Sequence, residues 1–265
     1  MGAWVWIIVG VVAWAGCAVA ARWVMAATVR PNNVETGLLV RVYRVYVRLV
    51  HHLQVEGAHH IPRPQSPGEG VGPLIVVANH TAGVDPVLIQ SVLPFEPRWM
   101  MASDMRAAPL EPLWEYGRII FVDRRGGDAP ALREGLRHLA SGGALGVFPE
   151  GHLERPPRHI LPFQPGVGLL IGRSKARVLP VVIDGTPICD PAWGSLITPS
   201  HSRIRFLAPI DYSTTGLGPA EIAADLRRRF IDATGWPAWD RPPRLVDDQW
   251  VWDAPGPGAG ESSTT

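Results

Sequence analysis

From Ala3 to Ala21 no charged residue interrupts the chain, and Trp4, Trp6, Ile7, Ile8, Val9, Val11, Val12, Trp14 and Val19 alternate with small residues. A run of this length approaches the roughly 20 apolar residues that cross a bilayer core as a helix. No Lys or Arg precedes it, so the charged start of a cleaved signal peptide is missing. Residues 35 to 53 predict a second helix dominated by Leu38, Leu39, Val42, Tyr43, Val45, Tyr46, Leu49 and Val50. Arg41, Arg44 and Arg48 fall on one face of it, which fits either a solvated edge of the protein or a helix lying among lipid headgroups.

After a Pro/Gly-rich linker at 61 to 73 the pattern changes. Leu74-Ile75-Val76-Val77-Ala78 is a short β-branched apolar run of strand length, and further strands are expected at 98 to 102, 118 to 122, 144 to 148, 179 to 183 and 203 to 207. Helical patterns at 86 to 93, 129 to 140 and 166 to 174 fall between several of them, and 219 to 233 sets Ile222, Leu226 and Phe230 at steps of four. Strands alternating with helices predict an α/β fold. The organisation expected is membrane-associated helices at 1–53, a catalytic domain at 54–234 and a C-terminal extension at 235–265. The end of that extension, Pro255 to Thr265, has the composition of a disordered tail.

Charge changes this picture only locally. Lys and Arg number 25 against 24 Asp and Glu, which gives no global field for gripping nucleic acid. In the first 53 residues, however, Arg22, Arg30, Arg41, Arg44 and Arg48 face Glu35 alone, beside the most apolar part of the chain. That pairing suits an anionic membrane surface, and Arg22 and Arg30 would keep the residues after them on the cytoplasmic side. Cys17 and Cys189 are too few for a disulfide framework. No pattern in the sequence specifies an oligomeric state.

The best-defined chemistry lies at the end of the first apolar strand. Asn79-His80 is followed by Thr81-Ala82-Gly83-Val84 and then Asp85-Pro86, which opens a helix. Strand ends are where α/β sheets build their sites. A histidine whose second N–H is taken by a carboxylate is oriented as a base able to activate a weak hydroxyl nucleophile. Asp before Pro is equally the pattern of a helix N-cap, so both readings of Asp85 stand on spacing alone.

Asn79-His80-x4-Asp85 resembles the first motif of the glycerolipid acyltransferase superfamily, which includes the lysophosphatidic acid acyltransferases. Three further blocks resemble its later motifs in order: Gly117-Arg118-Ile119-Ile120-Phe121-Val122-Asp123-Arg124, then Phe148-Pro149-Glu150-Gly151, then Val178-Leu179-Pro180-Val181-Val182-Ile183. The resemblance spans roughly Val55 to Ile210. It implies a mixed, largely parallel sheet flanked by helices, and a reaction in which His80, oriented by Asp85, takes the proton of an acceptor hydroxyl. That oxygen then attacks the thioester of acyl-CoA or an acyl carrier protein. The resemblance further implies that Asn79, Arg124, Glu150 and Gly151 help bind a lipid acceptor, and that no cofactor is needed beyond the donor.

Two departures bear on the acceptor. Many lysophosphatidate enzymes continue the third motif with Thr-Arg-Ser and carry a later Phe-Lys-x-Gly. Here Gly151 is followed by His152-Leu153-Glu154-Arg155, and Phe163-Gln164-Pro165-Gly166 has glutamine in place of that lysine. Positive charge is lost where a phosphate would be held, although Arg124, Arg125, Arg155 and Arg158 remain in the region. Lysophosphatidate is the leading expectation and a phosphate-free lipid the alternative. Among other classes, a metal-dependent hydrolase would draw on His80, Asp85, Glu150, His152 and His159, whose spacing matches no common zinc pattern. A serine hydrolase lacks its Gly-x-Ser-x-Gly elbow. A non-catalytic membrane-binding relative would be expected to have lost the base, and here His80 and Asp85 are both present.

Overall fold

A computed structural model describes residues 3–25, 34–64, 70–106, 108–125, 129–246 and 249–252. Two helices come first, α1 (Ala3–Met25) and α2 (Val34–Val50), followed by strands β1 (Gln54–Glu56) and β2 (Leu74–Ala78) and helix α3 (Asp85–Val92). Next are β3 (Arg98–Ala102), α4 (Glu111–Tyr116), β4 (Ile120–Val122), α5 (Ala129–Ala140) and β5 (Ala144–Val147). The chain continues through α6 (Pro165–Ser174), β6 (Arg177–Asp184), β7 (Arg203–Phe206) and α7 (Pro219–Thr234), and ends in a hairpin of β8 (Arg244–Val246) and β9 (Gln249–Val251). The tail expected to be disordered and residues 65–69 of the linker lie outside the described residues.

Seven strands form one sheet in the order β1-β7-β6-β2-β5-β3-β4. Every neighbouring pair is parallel except β6 with β7, so the fold is the α/β architecture with a mixed, mostly parallel sheet. The strand β2 lies between β5 and β6, with Val76 level with Gly146 on one side and Leu179 on the other. Its unbroken apolar run follows from that place, because a central strand is buried on both faces. Ile75 and Val77 enter one core with residues of α5, α6 and α7; Leu74, Val76 and Ala78 enter a second with Leu88, Ile89 and Leu93. Each fully buried Val, Ile or Leu contributes about 1.5–3 kcal/mol, so the strand that ends at the candidate site is firmly held in the sheet.

The N-terminal expectations change. Among the described residues no helix is long and apolar enough to cross a membrane, so a transmembrane helix at Ala3–Ala21 is not supported. The arginine stripe of α2 is turned largely to the protein. Arg41 Nη2 donates to the Trp23 carbonyl of α1 at 2.7 Å, with its guanidinium over the Trp23 ring, and Arg44 Nε donates to the Ser91 carbonyl of α3 at 3.0 Å. The surface that α2 leaves outside is apolar: Leu38, Val42, Val45 and Leu49 are exposed, while Val40 and Val47 are buried.

Candidate active site

The strand β2 stops at Ala78, and Asn79 takes over its hydrogen bonding with a side chain. Asn79 Nδ2 donates to the Ile183 carbonyl at 2.9 Å, and the Ile183 N–H donates to Asn79 Oδ1 at 2.8 Å. The amide thereby continues the ladder with β6 for one more residue. Asn79 is fully buried, so it fixes the strand end from below and does not face the open side where a substrate was expected to meet it.

His80 is next in the chain, with its side chain 20% exposed and its Nδ1 2.9 Å from Asp85 Oδ2. A carboxylate only accepts, so Nδ1 carries the hydrogen and Nε2 is the ring atom left for chemistry. The ring rests on Phe148. Asp85 is fully buried, and it also accepts the Thr81 N–H at 2.7 Å, the Ala82 N–H at 2.9 Å and the Thr81 hydroxyl at 3.0 Å. The same carboxylate thus folds the loop and orients the base. It is not the helix cap: the N-cap of α3 is Val84, and Asp85 is the first helical residue.

The short helical turn Ala192–Leu196 covers this loop. Ser195 Oγ accepts the Val84 N–H at 3.0 Å, and a Cβ on Gly83 would stand 2.7 Å from the Ala192 carbonyl oxygen. Glycine at 83 is therefore the residue that lets the two backbones approach.

Glu150, expected to touch the acceptor, is instead an internal tie. Its Oε1 accepts the His80 N–H and its Oε2 the Leu161 N–H, each at 3.1 Å, and it is buried. Burial pushes its carboxyl well above the ordinary range. Gly151 adopts a left-handed φ of 72° that favours glycine, and its carbonyl accepts from Arg124 Nη1 at 2.9 Å. Arg124 Nη2 is paired with Asp104. Glu154, whose N–H donates to the His80 carbonyl at 2.8 Å, is buried with Oε2 unpartnered; burial raises its carboxyl to about 8. His152 is pushed down to about 4 by burial and by the neighbouring Arg124 charge.

The structure thus brings Asn79, His80, Asp85, Glu150, Gly151 and Arg124 to one end of the sheet, where His80 is partly exposed and Asn79, Asp85 and Glu150 are buried. Sequence reasoning did not find Asp104, Phe148 as the rest for His80, or Trp250 of the C-terminal hairpin, which covers Arg124. Phe148 stood inside a quoted motif, but nothing local marked the other two. Among the described residues no group of three or more His, Cys, Asp or Glu side chains is placed to hold a metal ion.

An oriented histidine at the end of a central parallel strand, inside these ordered motifs, defines a class. Residues 52–184, half of the chain, match the model of the Acyltransferase family, and the chain belongs to that family. Its structure is similar to the crystal structure of the 1-acyl-sn-glycerophosphate (LPA) acyltransferase PlsC from Thermotoga maritima. The TM-score is 0.60 at 22% identity, over 77% of this chain and 82% of that one, a likeness of fold. No curated protein matches the chain.

Proposed function

We propose that this acyltransferase moves a fatty acyl group from a thioester, acyl-CoA or acyl carrier protein, to the hydroxyl of a single-chain lipid. The observation that carries the reading is the 2.9 Å contact of the partly exposed His80, through Nδ1, with Asp85 Oδ2, which leaves Nε2 as the ring nitrogen available to act as a base. In the reaction Nε2 takes the acceptor proton as the acceptor oxygen bonds to the thioester carbonyl carbon. The tetrahedral intermediate then collapses, the carbon–sulfur bond breaks, and the thiolate recovers the proton from His80. Asp85 stabilises the imidazolium formed between these steps.

A membrane surface as the working place is supported by the exposed face of α2, with Leu49 69% and Val45 56% exposed, together with Trp14 and Val19 of α1. Contiguous exposed apolar surface of this kind marks interaction sites. Lysophosphatidate, the acceptor in the name of the structural relative, and monoacylglycerol are the two acceptors to compare.

The test is acyl transfer from labelled acyl-CoA to lysolipids by the wild type and by His80→Ala. Loss of a general base costs about 10²–10⁴-fold in rate, and because His80 is partly exposed the variant should keep its thermal midpoint and membrane association. Near-normal turnover by His80→Ala would sink the assignment of the base.

A further inference from the structure

Arg124 lies just after β4 and reaches across to the residue next to Glu150, which itself holds the His80 N–H. Its guanidinium is engaged on several sides. Nη1 donates to the Gly151 carbonyl and lies 2.9 Å from His152 Nδ1, and Nη2 is paired with Asp104 Oδ2, while Nε is buried without a hydrogen-bond partner among the described residues. The indole of Trp250 covers its face, 5.1 Å from the guanidinium carbon. Trp250 Nε1 also donates to Asp104 Oδ2 at 3.2 Å, and its ring meets His152 edge-on at 4.4 Å. Asp104, on the turn after β3, is therefore tied both to the cation beside the site and to the hairpin over it. Burial works to raise the Asp104 carboxyl, but the hydrogen bonds from Arg124 and Trp250 and the Arg124 charge outweigh it and hold the group below its usual range.

Two other arginines of the region are also engaged within the protein, one of them by a carboxylate. Arg158 is paired with Asp184 at 3.1 Å, Arg155 donates to the carbonyls of Glu154 and Cys189, and Gln164, beside Gly151, carries no charge. A phosphate monoester arriving at Arg124 would meet a guanidinium already neutralised and a carboxylate a few ångströms away, and like charges at that range repel. A hydroxyl or ester headgroup meets no such repulsion.

Resting on the acyltransferase reading, the geometry points to Asp104 as the residue that sets the acceptor class: by holding Arg124 it makes the His80 site select a lipid alcohol without a phosphate monoester. Asp104 acts through Arg124 and is a positioning residue.

The experiment compares the wild type, Asp104→Asn and Gln164→Lys, all as the full chain. Each is given labelled acyl-CoA with monoacylglycerol or lysophosphatidate in vesicles. The wild type should acylate monoacylglycerol faster, and Asp104→Asn should shift the ratio of rates toward lysophosphatidate by about tenfold, the effect of one unpaired charge at such a site. Gln164→Lys should shift it the same way by adding a cation without touching the Asp104 pair, which keeps the test open if Asp104→Asn folds poorly. Independently of turnover, glycerol 3-phosphate should raise the thermal midpoint of Asp104→Asn and leave that of the wild type where it was. A wild type that prefers lysophosphatidate, or that is stabilised by glycerol 3-phosphate as much as the variant, overturns the proposal. No acyl transfer to either acceptor, with the difference in glycerol 3-phosphate binding preserved, overturns the acyltransferase reading and leaves the role of Asp104 standing.

Discussion

The imidazole of His80 is stacked on the ring of Phe148, with centroids 4.1 Å apart and planes inclined by 18°, and Phe148 is stacked in turn on Trp99 at 5.3 Å. The Trp99 ring occupies the space that any side chain on Gly146 of β5 would need, so the stack depends on glycine at that position. Asp85 fixes the rotation of the imidazole and the rings fix its plane. Phe148→Ala should cost about 2 kcal/mol of stability, less than a fully buried phenylalanine, because Phe148 is only half-buried. Turnover should fall about tenfold or more with KM for the donor little changed, since a misplaced base affects the transition state and not binding. Steady-state kinetics beside urea unfolding checks both; an unchanged kcat would mean that Asp85 alone aligns the ring.

Asn79 makes a separate prediction. Its two bonds to Ile183 are worth together about 2 kcal/mol, and truncation leaves the buried Ile183 N–H and carbonyl unsatisfied. Asn79→Ala should therefore lower the urea midpoint clearly and slow turnover, whereas a residue whose main role is to touch the acceptor would raise KM and leave stability alone.

The strands β2 and β6 were legible because burial on both faces leaves a visible apolar run; β2 and β3 match their expected ranges, and β6 and β7 differ only at their ends. The strand β1 was not legible, since its three residues are all exposed and it pairs with β7 through backbone atoms that any sequence supplies. The hairpin β8–β9 escaped for the same reason. In the site, the His80 and Asp85 spacing of five could be read directly. The roles of Asn79 and Glu150 could not, because their partners Ile183 and Leu161 are brought to them only by the finished fold. Arg41 and Arg44 shared a face as expected, but a helical wheel does not say which face meets the protein.

Two buried groups tilt stability with pH in opposite directions. Glu154 is raised from an ordinary 4.5 to about 8, so between those values the folded chain holds a proton that the unfolded chain has released, and its contribution to stability is lost as pH rises toward 8. His152 is lowered from 6.5 to about 4, so its contribution is lost as pH falls through that window. Glu154→Gln should accordingly gain stability relative to the wild type between about pH 6.5 and 8 and little below about pH 5. Thermal midpoints of the two proteins across that range check the sign; parallel curves would place the Glu154 carboxyl in its ordinary range.

The exposed face of α2 can be tested without disturbing the core. Val42→Glu with Leu49→Glu changes two side chains that are 53% and 69% exposed, so the thermal midpoint should move little. Sedimentation with anionic vesicles should fall substantially, because charges enter the apolar layer on which such a helix lies. Undiminished sedimentation would shift the attachment to α1 or elsewhere.

Thr234 ends the last helix of the main sheet layer, and a shortened protein could be designed to stop there. The residues just beyond are one end of a brace, however. The Ile160 N–H donates to the Pro237 carbonyl at 3.0 Å and the Trp239 N–H to the Ile160 carbonyl at 3.1 Å; next to them the Leu161 N–H grips Glu150, whose other oxygen grips His80. Four links thus join the C-terminal stretch to the base, so trimming at Thr234 would keep every motif residue yet free the far anchor of the backbone that carries His80.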